Sequence, residues 1–313
     1  MKKKLLICGG NGFQGRNLIE YFLQPAKKDK YEIRATYHKK KDVIDLYGDK
    51  VQWVQADLTK EWDVKKVLYG GCDIILQYAA VSSNIVDAIE KPYLHVTNNV
   101  IMNSLIFKLA LESNVEHVIF PSCTVMYEDG DTKESDFKGT IDEDKIYFGG
   151  GTTKVYLENM CKFYSKLGNT KYTALRQTNI IGKYDKTDVE TAHFFTSMIQ
   201  KVKHSQDKIE VWGDGKEQKD LLSVNDLMVL IDLILHRQED NFDLLNVATG
   251  RPMSVSEIVE TIVKVSGKDL EIVYDTTKPS RENNLKLDIS RAVERYDWNP
   301  YVRLEDIVNE LIT

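Results

Sequence analysis

The stretch KLLICGGNGFQGRNLIEYF, residues 4–22, decides the fold. Its first five residues, KLLIC, carry an apolar run after Lys4 and read as a buried strand. Glycines follow at 9, 12 and 15, in the spacing G-x-x-G-x-x-G. Leu18, Ile19, Phe22 and Leu23 then recur at helical spacing, which predicts a helix over residues 12–23. Glycines between a strand and a helix let the backbone turn tightly, let a pyrophosphate approach, and let the helix pack on the strand. The helix N-terminus adds free N–H groups and the positive end of its dipole. A glycine triplet alone also fits a plain tight turn. Its place after the chain's first strand makes Gly9, Gly12 and Gly15, with Phe13 and Gln14, candidate contacts to a dinucleotide.

The same rhythm continues outward. YEIRAT (31–36), VQWVQ (51–55), DIILQ (73–77), HVIFPS (117–122) and YTALRQ (172–177) read as strands. Helical patterns occupy 61–69, 97–112 and 151–167. This alternation predicts an α/β fold, a Rossmann-type doubly wound parallel sheet covered on both faces. After about residue 178 the rhythm breaks. Helices near 190–203, 224–236 and 254–266 mix with strands IEVW (209–212), LLNVA (244–248) and LEIVY (270–274), and short helices end the chain. The expected division is a nucleotide-binding domain over 1–177, with returning segments from about 215–248, and a smaller α/β lobe mainly over 178–313.

The bulk composition narrows the class. Of 313 residues 42% are hydrophobic and 29% charged, as in ordinary globular proteins. A net charge of −6 argues against nucleic acid or an anionic membrane as partner. No apolar run approaches the about 20 residues that span a bilayer. The start MKKKLLICGGNG is basic and then apolar, but too short for a secretory leader, and it runs into the glycines. Cys8, Cys72, Cys123 and Cys161 lie far apart without a C-x-x-C, which fits thiols in a reducing cytoplasm and no metal site.

A carboxylate at the end of the second strand normally accepts the ribose hydroxyls of NAD. Here that strand ends IRATYHKKK, with Arg34, His38, Lys39, Lys40 and Lys41 and no acid. Such a cluster suits a 2′-phosphate and favours NADP(H) over NAD(H). A solvated lysine-rich loop explains the same residues equally well.

Further stretches, in order, carry a resemblance over nearly the whole chain. They are ADLT (56–59), QYAA (77–80), TNNVIMNSLIFKLALESNVEHVIFPS (97–122), RQTNIIG (176–182) and VWGDGKEQKDLLSVNDL (211–227). The chain resembles the extended short-chain dehydrogenases/reductases, the NAD(P)-dependent sugar-nucleotide epimerases, dehydratases and reductases. The resemblance implies that Asp57 and Leu58 hold the adenine, that Ala79 and Ala80 line the cofactor, and that Asn99 bonds near its nicotinamide half. It implies a nucleotide-sugar substrate, touched by Asn179, Lys219 (where arginine is commoner) and Trp212. Within the family the chain is similar to the GDP-fucose synthases, which carry a histidine 14 residues after the equivalent of Asn179; here that is His193, an imidazole able to move a proton near neutral pH.

The family's acid is a tyrosine four residues before a lysine on one helix face, the lysine lowering the phenol's pKa. In DEDKIYFGGGTTKVYLEN (142–159) Lys154 is present, but Gly150 stands for the tyrosine. With Tyr127 matched to the family's tyrosine at the end of SCTVMY, Cys123 stands for the assisting serine or threonine. Ser122 and Thr124 are neighbours able to replace its hydroxyl. Thr124 and Val125 occupy the positions of the dehydratases' Asp-Glu pair, which disfavours dehydration, and Val125 also takes the place of the fucose synthases' acid cysteine. Tyr147, seven residues before Lys154, is two helical turns away and is the nearest replacement phenol. Gly149–Gly151 intervene and predict a break, a turn before a helix capped by Thr152 or Thr153. Lys154 is also expected to hold the nicotinamide ribose. The resemblance further implies a homodimer through the helices 97–112 and 151–167, whose apolar residues Ile101, Leu105, Leu109, Val155, Met160 and Phe163 serve either that seam or the sheet.

Overall fold

The apolar run after Lys4 forms β1 (Lys3–Cys8), buried over its last four residues, and the segment beyond the glycines forms α1 (Phe13–Phe22). There follow β2 (Tyr31–Tyr37), β3 (Val51–Gln55), α2 (Glu61–Leu68), β4 (Ile74–Gln77), α3 (Thr97–Glu112), β5 (His117–Ser122), β6 (Gly130–Thr132), α4 (Phe148–Tyr164) and β7 (Lys171–Gln177). The chain continues through β8 (Asn179–Ile181), α5 (Phe194–His204), β9 (Lys208–Trp212), β10 (Gln218–Lys219), β11 (Leu221–Ser223), α6 (Val224–Arg237) and β12 (Phe242–Val247). It ends with β13 (Met253–Ser254), α7 (Val255–Ser266), β14 (Glu271–Asp275), β15 (Leu285–Leu287), α8 (Ser290–Tyr296) and α9 (Leu304–Ile312). The computed structural model describes residues 2–39, 41, 43–81, 91–145, 147–187, 193–278 and 284–312. Lys40 of the basic run and the start of the helix expected near 190 lie outside these residues.

The main sheet has seven strands in the order β12-β7-β5-β4-β1-β2-β3. The pairings from β7 through β3 are parallel, for example Leu5 with Ile33 on one side and Ile74 on the other. This is the α/β doubly wound sheet expected from the strand–helix alternation. Parallel strands buried on both faces need crossover helices, and α3 shows how one is made. Its residues Asn99, Met102, Asn103, Ile106, Phe107 and Ala110 recur at helical spacing and are buried. Of these, Met102, Ile106, Phe107 and Ala110 pack with Leu157 and Cys161 of α4 against Val118 and Phe120 of β5.

The chain divides into two compact units. Unit 1 holds 1–126, 139–176 and 231–245, so of the segment 215–248 only its second half joins the main sheet's unit. Unit 2 holds 127–138, 177–230 and 246–313. It includes 127–138 because β6 pairs with β15, which no local pattern announces. Unit 2 has its own core, in which Phe195, Ile199 and Val202 of α5 meet Ile258, Val259 and Ile262 of α7 and Ile307 and Val308 of α9. The start of α7 follows from sequence: Ser254 Oγ accepts from Glu257 N–H while the Glu257 carboxylate accepts from Ser254 N–H. Among the described residues no helix is long and apolar enough to cross a membrane.

Candidate functional site

The glycine loop is built for close backbone approach. Gly9 has φ +74°, and a Cβ on it would lie 2.8 Å from Ala79 Cα. A Cβ on Gly15 would lie 2.1 Å from Gly9 O, so only glycine lets α1 sit this near β1. Thr36 near the end of β2 fixes the turn: its Oγ1 accepts from Gly9 N–H at 2.9 Å and its carbonyl accepts from Gly10 N–H at 2.8 Å. Sequence reasoning missed Thr36; the available signal was a small hydroxyl residue near the C-terminal end of the second strand. Gly12 caps α1 with extended backbone and no side-chain cap, which leaves first-turn N–H groups available to an anion. Beside them, Gln14 Oε1 is buried with no partner among the described residues. A cradle that a side chain would fill, together with an orphaned polar atom, fits a dinucleotide pyrophosphate.

We expect Gly15→Ala to weaken binding of a nicotinamide dinucleotide by about 100-fold or more in a fluorescence titration, because the added carbon displaces α1. Gly12→Ala, whose Cβ meets Gly9 O only at 3.3 Å, should lose far less.

The adenine end is consistent with this placement. Asp57 Oδ1 accepts from Thr59 Oγ1 at 2.7 Å and from Thr59 N–H at 3.1 Å. These hydrogen bonds, led by the hydroxyl, hold the Asp57 carboxyl below its ordinary pKa. Its Oδ2 makes no hydrogen bond to another described residue and is free to accept from an amino group. Leu58 is buried beside it. Asn99 reaches the cofactor wall indirectly: its amide pairs with both backbone groups of Val81, at 2.9 and 3.0 Å, and so shapes the loop after β4 that carries Ala79 and Ala80.

Arg34 is a correction. It lies three residues short of the end of β2, and its guanidinium is committed to Gln52 Oε1 at 2.8 Å and to the carbonyls of Val67 and Tyr69 at 2.7 and 3.0 Å. Strand rise alone puts it about 10 Å back from the strand's end, away from any 2′-phosphate. His38 and Lys39 follow the strand and are exposed.

The start of α4 is a second correction. The three glycines do not break the helix, and neither Thr152 nor Thr153 caps it; Tyr147 is the N-cap and α4 begins at Phe148. Gly149 and Gly150 fall in the first turn, where N–H groups lack intrahelical acceptors in any helix, so their low propensity matters least there, and Gly151 N–H makes the first bond of the helix, to Tyr147 O at 2.8 Å. Gly151 is also required by packing: a Cβ would meet Ile141 Cδ1 at 2.9 Å and Val125 Cγ2 at 3.2 Å. A Cβ on Gly150, by contrast, has nothing within 4 Å. The continuous helix puts Tyr147 on the same stripe as Gly151, Lys154 and Glu158, about 10 Å along the axis from Lys154.

Lys154 Nζ donates to Pro121 O at 2.6 Å and lies 4.6 Å from the centre of the Phe120 ring. Burial draws its pKa below the ordinary lysine value. Burial raises the Cys123 thiol despite the pull of Lys154, so the sulfur stays protonated at neutral pH. Ser122 is not an available hydroxyl. Its Oγ donates to Glu158 Oε1 at 2.5 Å, and Arg176 holds the same carboxylate through Nε at 3.0 Å and Nη2 at 2.7 Å. Sequence reasoning missed this buried chain, although Glu158 sits one turn past Lys154. Thr124 is half-buried and its hydroxyl makes no hydrogen bond to another described residue.

The remaining candidates belong to unit 2. Asn179 Nδ2 donates to Asp220 O at 3.1 Å. Lys219 Nζ pairs with Glu217 Oε1 at 2.6 Å and lies 5.2 Å from the Phe194 ring centre. Trp212 is 55% exposed, its indole N–H held by Glu210 Oε1 at 3.1 Å. His193 is exposed and is the N-cap of α5. Among the described residues no cluster of acids, histidines or cysteines could hold a metal ion.

Curated relatives match nearly the whole chain in sequence, and solved structures share its architecture. GDP-L-fucose synthase of Azorhizobium caulinodans is 27% identical over 97% of this chain and 93% of its own length. UDP-glucose 4-epimerase of Lactobacillus helveticus is 24% identical over 97% and 94%. Among solved structures, UDP-glucose 4-epimerase of Thermotoga maritima with UDP-glucose has a TM-score of 0.84 at 20% identity, covering 99% of this chain and 97% of that one. UDP-glucuronic acid 4-epimerase of Bacillus cereus with UDP-glucuronic acid and NAD has a TM-score of 0.83 at 20% identity, covering 99% and 98%. The family model for NAD dependent epimerases/dehydratases matches residues 5–248, from β1 through β12. On that match, which takes in the glycine loop, Asp57, Lys154 and Asn179, the chain belongs to the NAD dependent epimerase/dehydratase family, the extended short-chain dehydrogenases/reductases.

Proposed function

We propose that this chain is an NADP(H)-dependent enzyme that reduces, oxidises or epimerises an NDP-hexose at or near C4, with GDP among the candidate nucleotides. The cradle of Gly9, Gly12 and Gly15, together with a retained Lys154 at the end of β5, is the observation that carries this reading. When bound, the dinucleotide supplies hydride transfer to and from the sugar carbon. The chain's own part is to hold it: α1 N–H groups at the pyrophosphate, Asp57 and Leu58 at the adenine, Ala79 and Ala80 at its wall, and Lys154 at the nicotinamide ribose. His38 and Lys39, exposed beyond β2 with no acid in the strand's last turn of sequence, favour a 2′-phosphate. Cys123, Thr124, Tyr147 and His193 are the further candidates for proton handling. Asn179, Lys219 and Trp212 of unit 2 are the proposed contacts to the nucleotide-sugar.

Exposed apolar residues on α3 and α4 support a homodimer. Ile101 is 40% exposed, Tyr156 43% and Phe163 51%, whereas Leu109 is buried in the core.

The second reading is a cofactor- or nucleotide-sugar-binding protein that has lost its chemistry, and Gly150 in the acid's position favours it. One experiment separates the two. The protein is offered NADPH or NADH with the 4-keto sugars of GDP, CDP, UDP and dTDP, and absorbance is followed at 340 nm. We expect turnover with at least one sugar and tighter binding of NADPH than NADH. Binding of the dinucleotide without turnover of any sugar selects the second reading.

A further inference from the structure

We propose that Lys154 itself delivers the proton to the sugar oxygen in this chain, reached through the room that Gly150 leaves one helical turn before it. The inference rests on the 4-keto reductase reading above.

Position 150 is open on the helix face that carries Lys154: a Cβ there has no neighbour within 4 Å. The Lys154 side chain runs to the end of β5, where Nζ meets Pro121 O and the Phe120 ring, and none of its atoms comes within 4 Å of a Cβ at position 150, so that space lies open one turn before it. Where the family carries a phenol, position 150 contributes no side chain. The ammonium has one short bond, to Pro121 O at 2.6 Å, which leaves two N–H groups for a ligand. No carboxylate neutralises it among the described residues. Glu158, the acid on its own face, is held by Arg176 through two hydrogen bonds and by Ser122 through a third. The titratable and charged groups around it are Cys123 after β5, Glu158 and Cys161 on α4, and Arg176 on β7 behind Glu158.

The competing donors are weaker on geometry. Ser122 is committed to Glu158. Tyr147 is two turns back at the helix N-cap. Thr124 is a neutral hydroxyl, and an alcohol is too weak an acid to give up a proton without a relay. A lysine whose ammonium is destabilised by burial is a stronger acid than one in water. The step balances: hydride from the reduced dinucleotide forms the C4–H bond, the carbonyl π pair moves to oxygen, and one ammonium proton forms the O–H bond. The products are the alcohol, the oxidised dinucleotide and a neutral amine that solvent reprotonates. The rate of reduction then falls as pH rises through the lysine's folded pKa, because only the ammonium donates.

The test uses full-length protein with Lys154→Arg and Lys154→Met. Arginine keeps the charge but cannot release a proton near neutral pH. We expect Lys154→Arg to lower kcat for reduction by about 100-fold or more. NADPH should still bind within about threefold of wild type by fluorescence titration, and the alkaline limb of the pH profile should disappear. Independently, trace acetylation of cofactor-free wild type at a series of pH values, resolved by mass spectrometry, should give Lys154 a lower titration midpoint than the exposed lysines. A Lys154→Arg enzyme retaining more than a third of wild-type kcat overturns the inference. So does a loss of kcat fully matched by lost NADPH binding, which leaves Lys154 only the ribose. Wild type that binds NADPH but turns over no 4-keto sugar overturns the reductase reading itself, and this inference with it.

Discussion

Glu158→Ala should destabilise unit 1 by about 3–5 kcal/mol, the largest stability effect expected of any single change near the site. Glu158 is 5% exposed and Arg176 3%. The carboxylate takes two bonds from the guanidinium and one from Ser122, so each of its oxygens is occupied. Removing it takes from the buried Arg176 guanidinium the carboxylate that accepts two of its hydrogen bonds, and from the Ser122 hydroxyl its acceptor. Arginine cannot escape by deprotonating. For a unit of this size the loss corresponds to a fall in melting temperature of roughly 10 °C. The paired replacement Glu158→Leu with Arg176→Met removes both charges and should recover most of the loss, since a buried ion pair contributes little beyond an apolar pair of similar shape. Thermal and urea unfolding of the three proteins checks this. A single variant within 1 kcal/mol of wild type would show that water reaches Arg176.

What the sequence disclosed and what it hid divide by range. β1, the glycine turn and α1 are local: an apolar run, three glycines and a 3.6-residue period lie within about 20 residues, and each rule points the same way. The parallel sheet follows because strands and helices alternate. Arg34 misled because its neighbours in sequence are basic while its partners in space are Gln52 and the end of α2. A strand's period says that residue 34 faces away from residue 35, not that a helix's carbonyls wait there. The start of α4 misled for the opposite reason. Glycine propensity is local, whereas the need for Gly151 arises from Ile141 and Val125 across the packing. The strands β6, β8 and β11 are three residues each, too short to show a period, and exist only by pairing with β15 and with one another. The Ser122–Glu158–Arg176 chain joins β5, α4 and β7, and no window of sequence contains it.

Restoring the phenol is expected to have the largest effect on catalysis. Gly150→Tyr should raise kcat for 4-keto reduction by about tenfold to 100-fold, a modest part of what a well-placed general acid supplies. Nothing obstructs the new Cβ within 4 Å, and glycine is the poorer helix former, so the change should not cost stability. The phenol would stand four residues before Lys154 on one face, where the ammonium lowers its pKa. If Lys154 is the native donor, the gain has a further signature. In the Lys154→Arg background Gly150→Tyr should restore turnover, because the phenol now gives the proton and the guanidinium supplies the charge. The pH profile of the single variant should follow the phenol rather than the amine. Steady-state kinetics with NADPH and the 4-keto sugar that wild type accepts decide the matter. An unchanged or lower kcat with both ligands still bound would mean that residue 150 is not where the acid belongs in this chain. Loss of sugar binding alone would mean that the substrate itself occupies the room beside Lys154, and the glycine would then be a device for admitting a bulkier sugar rather than the mark of a missing acid.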